Sequence, residues 1–176
     1  MRKIAFIGTH GVGKTTLAHE LVSKLKRKGV DADFLGEIAR KCPFPINEQA
    51  SKKTQIWIIL SQIIGEIEEE GKSEFLVCDR SVLDGYCYYA DKFGISGVIE
   101  PIVAEHMKTY DCLVKLPIRQ GFLKKDKIRS VDSGFQKRIE VMMNKLLKRL
   151  EIKYINFKDS SMSDDKIISE VIKRID

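Results

Sequence analysis

Apolar and polar positions along this chain fall into blocks that switch between strand-like runs and a helical period. Lys3–Gly8 is a short apolar run that reads as a strand. Lys14–Lys28 then sets Leu17, Leu21 and Leu25 four apart and stops at Gly29, the pattern of an amphipathic helix closed by glycine. Asp31–Leu35 predicts a second strand, and Pro43 with Pro45 marks residues 41–46 as a loop. Asn47–Glu70 predicts a long helix, with Ile56, Leu60, Ile63 and Ile67 as its repeating apolar positions. Glu74–Cys78 reads as a third strand, Val82–Phe93 as a helix closed by Gly94, and a shorter helix starts near Pro101, where proline suits a first turn. Asp111–Leu116 predicts a fourth strand. Pro117–Asp132 is polar and basic, the pattern of a loop or lid. Ser133 with Gln136 resembles a capping box, opening a helix with Ile139, Met142, Met143, Leu146, Leu147 and Leu150 on one face. Lys153–Phe157 is the fifth strand, and Ser163–Ile175 the last helix, with Asp164 and Asp165 near its positive end. Strand and helix alternate from end to end, which predicts an α/β fold around a five-stranded parallel sheet.

The length of 176 residues is that of one domain, 1–176, with no internal repeat or linker. A chain that is 43% hydrophobic and 32% charged has the profile of a soluble globular protein, expected in the cytoplasm. No apolar run is long enough to span a membrane, and Met1-Arg2-Lys3 leads straight into the first strand rather than into a signal peptide. Cys42, Cys78, Cys87 and Cys112 form no CxxC pair and lie at no metal-ligand spacing with histidine, so reduced thiols are expected. Cys78 and Cys112 read as core packing, and Cys42, before Pro43, as reachable. The net charge of +6 fits an electropositive cleft for polyphosphates, with a nucleic-acid surface as the lesser alternative.

The chemistry is concentrated first in Gly8-Thr9-His10-Gly11-Val12-Gly13-Lys14-Thr15, a G-x-x-x-x-G-K-T between a strand and a helix. Glycines let successive backbone N–H groups turn inward and cradle phosphate oxygens, and the following helix adds its N-terminal partial charge. Lys14 then reaches the β- and γ-phosphates, and the Thr15 hydroxyl meets Mg²⁺. The ATP-binding set is Gly8, His10, Gly11, Val12, Gly13, Lys14, Thr15 and Thr16, with Arg119 added from the later basic segment. The His10 side chain is expected in solvent or loop packing, and His19 and His106 as ordinary or satisfied histidines.

Three further features surround this loop. Glu37, in Gly36-Glu37-Ile38-Ala39-Arg40, ends the second strand, where open α/β sheets face their ligand crevice. A carboxylate there can orient or deprotonate a substrate hydroxyl. Asp79-Arg80-Ser81 ends the third strand, so that Asp79 is placed to hold Mg²⁺ and Arg80 to meet phosphate or substrate. An N-cap by Asp79 or Ser81 is compatible with this. The stretch from Arg119 to Arg129 is a basic lid over about 117–132, with Arg119 and Arg129 available to fork onto phosphate oxygens. Asp126 stands among these cations.

Taken in order, GxxGxGKTT, GEIAR, a helix bearing Gln55 and Gln62, a strand ending in Asp-Arg-Ser and a late basic D-x-x-R segment resemble the AAA-like P-loop kinase and ATPase domains. These include the nicotinamide-riboside kinase domain of bifunctional NAD-biosynthesis regulators. The Asp-Arg-Ser triplet is also similar to motifs of deoxynucleoside and thymidylate kinases. The resemblance implies a P-loop NTPase fold of the nucleotide-kinase kind, a three-layer sandwich. It further implies an ATP- and Mg²⁺-dependent phosphotransferase acting on a small nucleoside- or nucleotide-like acceptor, with Glu37 near the acceptor, Asp79 near the ion, and Arg80 and Arg129 near phosphate.

Lys14, Glu37, Asp79, Arg80 and Arg129 are thus the expected catalytic set. Glu37, Arg40, Gln55, Gln62 and Arg80 are expected at the acceptor, with Trp57, Tyr86, Tyr88 or Tyr89 available to stack on a ring. A 5′-end kinase or ATPase of nucleic-acid metabolism and a non-catalytic ATP-sensing module are the alternatives. A homodimer is allowed for.

Overall fold

The computed structural model describes residues 1–119 and 132–175. Five strands form one parallel sheet: β1 (Arg2–Ile7), β2 (Ala32–Leu35), β3 (Phe75–Asp79), β4 (Cys112–Lys115) and β5 (Ile155–Asn156), in the order β2-β3-β1-β4-β5. The helices are α1 (Lys14–Arg27), α2 (Lys52–Glu68), α3 (Val82–Phe93), α4 (Ile99–Met107), α5 (Ser133–Arg149) and α6 (Asp164–Ile175), with 3₁₀ turns at Ile38–Lys41 and Asn47–Gln49.

The period of two along buried strands sorts the sheet into two cores. Ile4 and Phe6 of β1, with Phe75 and Val77 of β3, meet Leu17, Leu21 and Leu25 of α1 and Ile167, Ile168 and Val171 of α6. Ala5 and Ile7, with Leu76 and Cys78, face the other way, onto Ile59 of α2, Leu83 and Tyr86 of α3, Val103 of α4, and Ile139 and Met143 of α5. Both faces of the sheet are covered, which is why its strands read as nearly continuous apolar runs. The result is the expected three-layer α/β sandwich.

Five helices and all five strands lie within a few residues of their predicted bounds, and α3 matches them at both ends. The sixth helix departs from prediction. It begins at Lys52, not Asn47, because Ser51 caps it reciprocally with Thr54 after a separate 3₁₀ turn. Its orientation also departs. The buried positions are Thr54, Gln55, Ile59, Gln62 and Glu66, while Ile56, Leu60 and Ile67 of the predicted stripe are exposed. The inner face can be polar because its groups are paired: Glu66 accepts from Gln62 (2.8 Å) and Tyr110, bonds His106 (2.8 Å), and forms an ion pair with Lys3 (2.9 Å). His106 is therefore a satisfied histidine, as expected, and His19 stacks on Phe34.

The predicted Ser133–Gln136 capping box does not form. Asp132 caps α5 instead, accepting from Gly134 N (2.7 Å) and Phe135 N (3.2 Å), and Gln136 is turned toward the loop after β1. Cys112 is half-buried rather than core, whereas Cys78 and Cys87 are buried and Cys42 is half-buried. Among the described residues no helix is long and apolar enough to cross a membrane.

Ile59 is the apolar centre of α2's inner face. Ile59→Ala should cost about 2–4 kcal/mol in denaturant unfolding, while Val141→Ala on the exposed side of α5 should stay within about 0.5 kcal/mol.

Candidate active site

The carboxyl ends of β1 and β3 lie side by side, with Phe6 in register with Asp79, and the loop following each converges on one point. After β1 the chain turns through Gly8 at φ 136, where an added Cβ would stand 3.1 Å from the Leu116 carbonyl. Only glycine meets both demands. Gly13 is left-handed at φ 94 and opens α1 without any side-chain cap among the described residues, so the first N–H groups of α1 face the loop's hollow. Residues Gly11 to Thr15 line that hollow together with Glu37, Asp79 and Arg80. Such a cradle of backbone donors at a helix N-terminus suits an anion.

Lys14 is folded back over the loop, its Nζ donating to the carbonyls of Gly8 (2.8 Å) and Thr9 (2.6 Å). Burial, with repulsion from Arg80, lowers its ammonium to about 8 against the pull of Asp84, Asp79 and Glu37. Thr15 Oγ1 donates to Asp79 Oδ2 at 2.5 Å. A hydroxyl and a carboxylate are hard oxygen donors, the kind Mg²⁺ takes. Among the described residues no three of His, Cys, Asp or Glu gather to cage an ion. Two such donors suit a Mg²⁺ that also takes phosphate oxygens and waters.

Arg80 has a backbone φ of 95, uncommon for a non-glycine residue. Its N–H donates to Phe6 O (3.2 Å), and the turn throws its side chain into the cleft. There Nε donates to Glu37 Oε1 at 2.7 Å and Nη1 lies 3.6 Å from Asp84 Oδ1. Arg40 Nε donates to the other Glu37 oxygen at 3.0 Å. Burial by itself would raise the Glu37 carboxyl, but Arg80 and Lys14 outweigh it and hold it at about 2. Glu37 is thus an ionised acceptor with little appetite for a proton.

A second hollow opens beside the cradle, lined by His10, Glu37, Gln55, Ile58, Arg80 and Tyr88 among others. Glu37 and Arg80 line both hollows. His10 is buried, not in solvent: its Nδ1 bonds the Tyr88 hydroxyl (3.0 Å) and its ring packs on Phe135. Of the four aromatic candidates only Tyr88 lines this hollow; Tyr86 and Tyr89 are core residues, and Trp57 packs against that core.

Several predicted residues lie elsewhere. Gln62 spends its amide on Glu66 and is not among the residues lining the hollow. Arg119 is buried, its Nη1 donating to Asp164 (2.6 Å) and its Nη2 to Met162 O (2.9 Å) just before and at the start of α6. Thr16 is exposed on α1. Arg129, Asp126 and most of the predicted lid lie outside the described residues.

Two residues that the sequence reading passed over support the site. Asp84 takes the Gly8 N–H (3.2 Å) on one oxygen and Ser81 N (2.9 Å) and Oγ (3.0 Å) on the other, tying α3 to the loop. Burial raises its carboxyl above the usual range despite Lys14 and Arg80. Its signal was legible as the Ser-x-x-Asp capping box of Ser81–Asp84, with Ser81 as the N-cap. Gln136 donates from Nε2 to His10 O (2.7 Å) and its backbone carbonyl accepts from Thr9 Oγ1 (3.1 Å), so α5 buttresses the loop.

A sequence profile of the AAA domain matches residues 3–164. The chain belongs to the AAA domain family. No curated protein is matched by the sequence. Among solved structures, this AAA domain is similar to a deoxyadenosine kinase from M. mycoides with bound dATP, at TM-score 0.72 and 15% identity over 99% of both chains. The same enzyme with the products dCMP and a flexible dCDP bound gives TM-score 0.70 and 16% identity over 98% of both chains. A thymidylate kinase from Ehrlichia chaffeensis gives 0.68 and 18% identity, covering 99% of this chain and 98% of that one. At such identities the likeness is one of fold, and the fold is that of P-loop nucleoside and nucleotide kinases.

The Glu37 carboxyl is held lower in the folded protein than its ordinary value of 4.5, so its contribution is fully present above that pH and is lost as pH falls toward about 2. The unfolding free energy of the wild type minus that of Glu37→Gln should be of order 2 kcal/mol at pH 6 and shrink across this window. A difference that is flat with pH would contradict the ion pair.

Proposed function

We propose that this chain is an ATP- and Mg²⁺-dependent phosphotransferase that moves a γ-phosphoryl group to the hydroxyl of a nucleoside- or nucleotide-like acceptor. One observation carries the reading: Glu37 and Arg80 line both the phosphate cradle and the adjoining hollow. An acceptor seated in that hollow presents its hydroxyl where a phosphate seated in the cradle ends. The kinase folds of the M. mycoides and Ehrlichia chaffeensis enzymes, and the deoxynucleotides bound in the former, support a nucleoside-type acceptor.

The residue roles follow from charge and position. The N–H groups of Gly11 to Thr15 and the Lys14 ammonium hold the phosphate chain. Thr15 and Asp79 together hold Mg²⁺, which when bound screens the phosphate charge as it shifts to the leaving oxygen. Arg80 offers its guanidinium to the transferring group. Glu37 accepts the acceptor's hydroxyl proton as a hydrogen bond and fixes its direction. A carboxylate at about 2 is a weak base, and phosphoryl transfer through a loose transition state asks for alignment more than for proton abstraction. Gln55 and Tyr88 present an amide and an aromatic ring to the acceptor's body.

Incubating the protein with ATP, Mg²⁺ and a panel of nucleosides, nicotinamide riboside and nucleoside monophosphates should give acceptor-dependent ADP release, with the phosphorylated product seen by mass spectrometry. ATP hydrolysis with no acceptor phosphorylated would overturn the proposal. Lys14→Ala should cut turnover at least a hundredfold, on the order of the loss of one transition-state donor, with circular dichroism unchanged.

Lys14 also predicts the pH dependence of nucleotide binding. Its ammonium is held at about 8 without ligand, and a phosphate beside it favours the charged form. Binding near pH 8–9 should take up a proton from buffer, and affinity for ATP should fall as pH rises beyond about 8. Calorimetry in buffers of different ionisation heat measures both; buffer-independent heats would count against this role for Lys14.

A further inference from the structure

One buried charge lies outside the roles given above. Glu66, on the inner face of α2, has a fully enclosed side chain and lines neither the cradle nor the acceptor hollow. A carboxylate is held in such a place only by partners. One oxygen, Oε2, takes Lys3 Nζ (2.9 Å) and His106 Nε2 (2.8 Å), from β1 and α4. The other, Oε1, takes Gln62 Nε2 (2.8 Å) and the Tyr110 hydroxyl. Burial would raise this carboxyl, but the bonds from His106, Tyr110 and Gln62 and the charge of Lys3 outweigh it and hold it below the usual range.

The two groups on Oε1 reach on to a single turn, the one that carries Arg80. The Tyr110 hydroxyl accepts the Val82 N–H at 3.1 Å. Val82 opens α3, where an N–H has no partner within the helix. Gln62 Nε2 also lies 3.5 Å from the Arg80 carbonyl oxygen, a long bond. The peptide groups on either side of Ser81 are therefore held by side chains that converge on one carboxylate oxygen. A left-handed residue other than glycine keeps its shape only where its surroundings over-determine it, and Arg80 has φ 95. Phe6 O takes the Arg80 N–H (3.2 Å), Asp84 takes the Ser81 N–H (2.9 Å), and the Glu66 branch holds the Arg80 carbonyl and the Val82 N–H. We propose that Glu66 is a positioning residue: through Tyr110 and Gln62 it holds the turn after β3 in the shape that sets the Arg80 guanidinium against Glu37. It touches neither phosphate nor acceptor. Its effect on turnover rests on the phosphotransfer reading above; its effect on Arg80 does not.

The Arg80 Nε–H is bonded to Glu37 and can be followed by nitrogen–proton NMR of the full chain, its resonance assigned by its loss in Arg80→Lys. Tyr110→Phe keeps the ring and removes the hydroxyl; Gln62→Met keeps the length and removes the amide. Each should speed exchange of the Arg80 Nε–H with solvent by about five- to tenfold, the worth of one hydrogen bond. Glu66→Gln withdraws the charge that both branches share and should act in the same direction. With ATP and an acceptor, kcat should fall about ten- to a hundredfold in each variant while KM for ATP stays within about twofold. Val103→Ala leaves a cavity in the same core and should lower the unfolding midpoint without moving either reading. The proposal is overturned if the Arg80 Nε–H exchanges at the wild-type rate in both Tyr110→Phe and Gln62→Met, or if Val103→Ala speeds it as much. It is equally overturned by variants that raise KM for ATP and leave kcat intact. If the wild type phosphorylates no acceptor, the proposed function falls and the exchange rates alone decide on Glu66.

Discussion

The site depends on one buried contact, the ion pair between Arg80 and Glu37. Both side chains are close to fully enclosed, with 13% and 10% of their surface exposed. Removing one partner leaves Glu37 with Arg40 or Arg80 with Asp84, so the cost stays below the roughly 3–5 kcal/mol of a fully stranded charge. The pair spans two neighbouring strand ends, because Glu37 follows β2, Arg80 follows β3, and the two strands are hydrogen-bonded in register from Ala32–Phe75 to Leu35–Cys78. The left-handed backbone at Arg80 is the local cost of aiming the guanidinium back toward β2. Once made, the pair fixes a cation and an anion at the junction of the two hollows before any ligand arrives, which is what electrostatic preorganisation requires.

Around this contact the polar groups close in shells. Asp84 holds the Gly8 N–H and the start of α3, while Gln136 and Thr9 bind α5 to the same loop. Behind α3, Tyr110 bridges the Val82 N–H (3.1 Å) and Glu66, and Glu66 gathers Lys3, His106 and Gln62 from β1, α4 and α2. Many of these bonds join groups on different elements. The effect is to lock the elements' relative positions, which apolar packing with its loose directionality does less well.

The sheet, its two cores and the donor side of the site were legible in the sequence because each rests on local rules. Alternation and helical period gave the strands and most helices, and the glycine–lysine–threonine loop carries its own backbone logic. Glu37, Asp79 and Arg80 were legible as strand-end residues, and they do meet in space. The failures share a cause: long-range pairing overrode a local pattern. Periodicity assigned the isoleucine stripe of α2 to the core, because it cannot see that Lys3, His106 and Tyr110, all more than 35 residues away from Glu66, would make a polar inner face affordable. Gln136 read as a capping residue because its partner, His10, is 126 positions distant.

The two halves of the site differ in how tightly they are specified. The phosphate cradle is backbone, set by glycine dihedrals and by a strand buried on both faces, so its shape admits little variation. The acceptor hollow is built from side chains on separate elements: His10 from the loop, Gln55 and Ile58 from α2, Tyr88 from α3, and Ala39, Ile46 and Asn47 from the 3₁₀ turns and the loop between them. Substitution there alters size and hydrogen bonding without disturbing the sheet. On the proposed phosphotransfer, discrimination between acceptors would reside in α2, α3 and residues 38–49, and the donor half in the loop. A shift of α2 by a fraction of its width would reshape the acceptor wall while leaving Lys14, Thr15 and Asp79 where they are, because none of the three is carried by that helix.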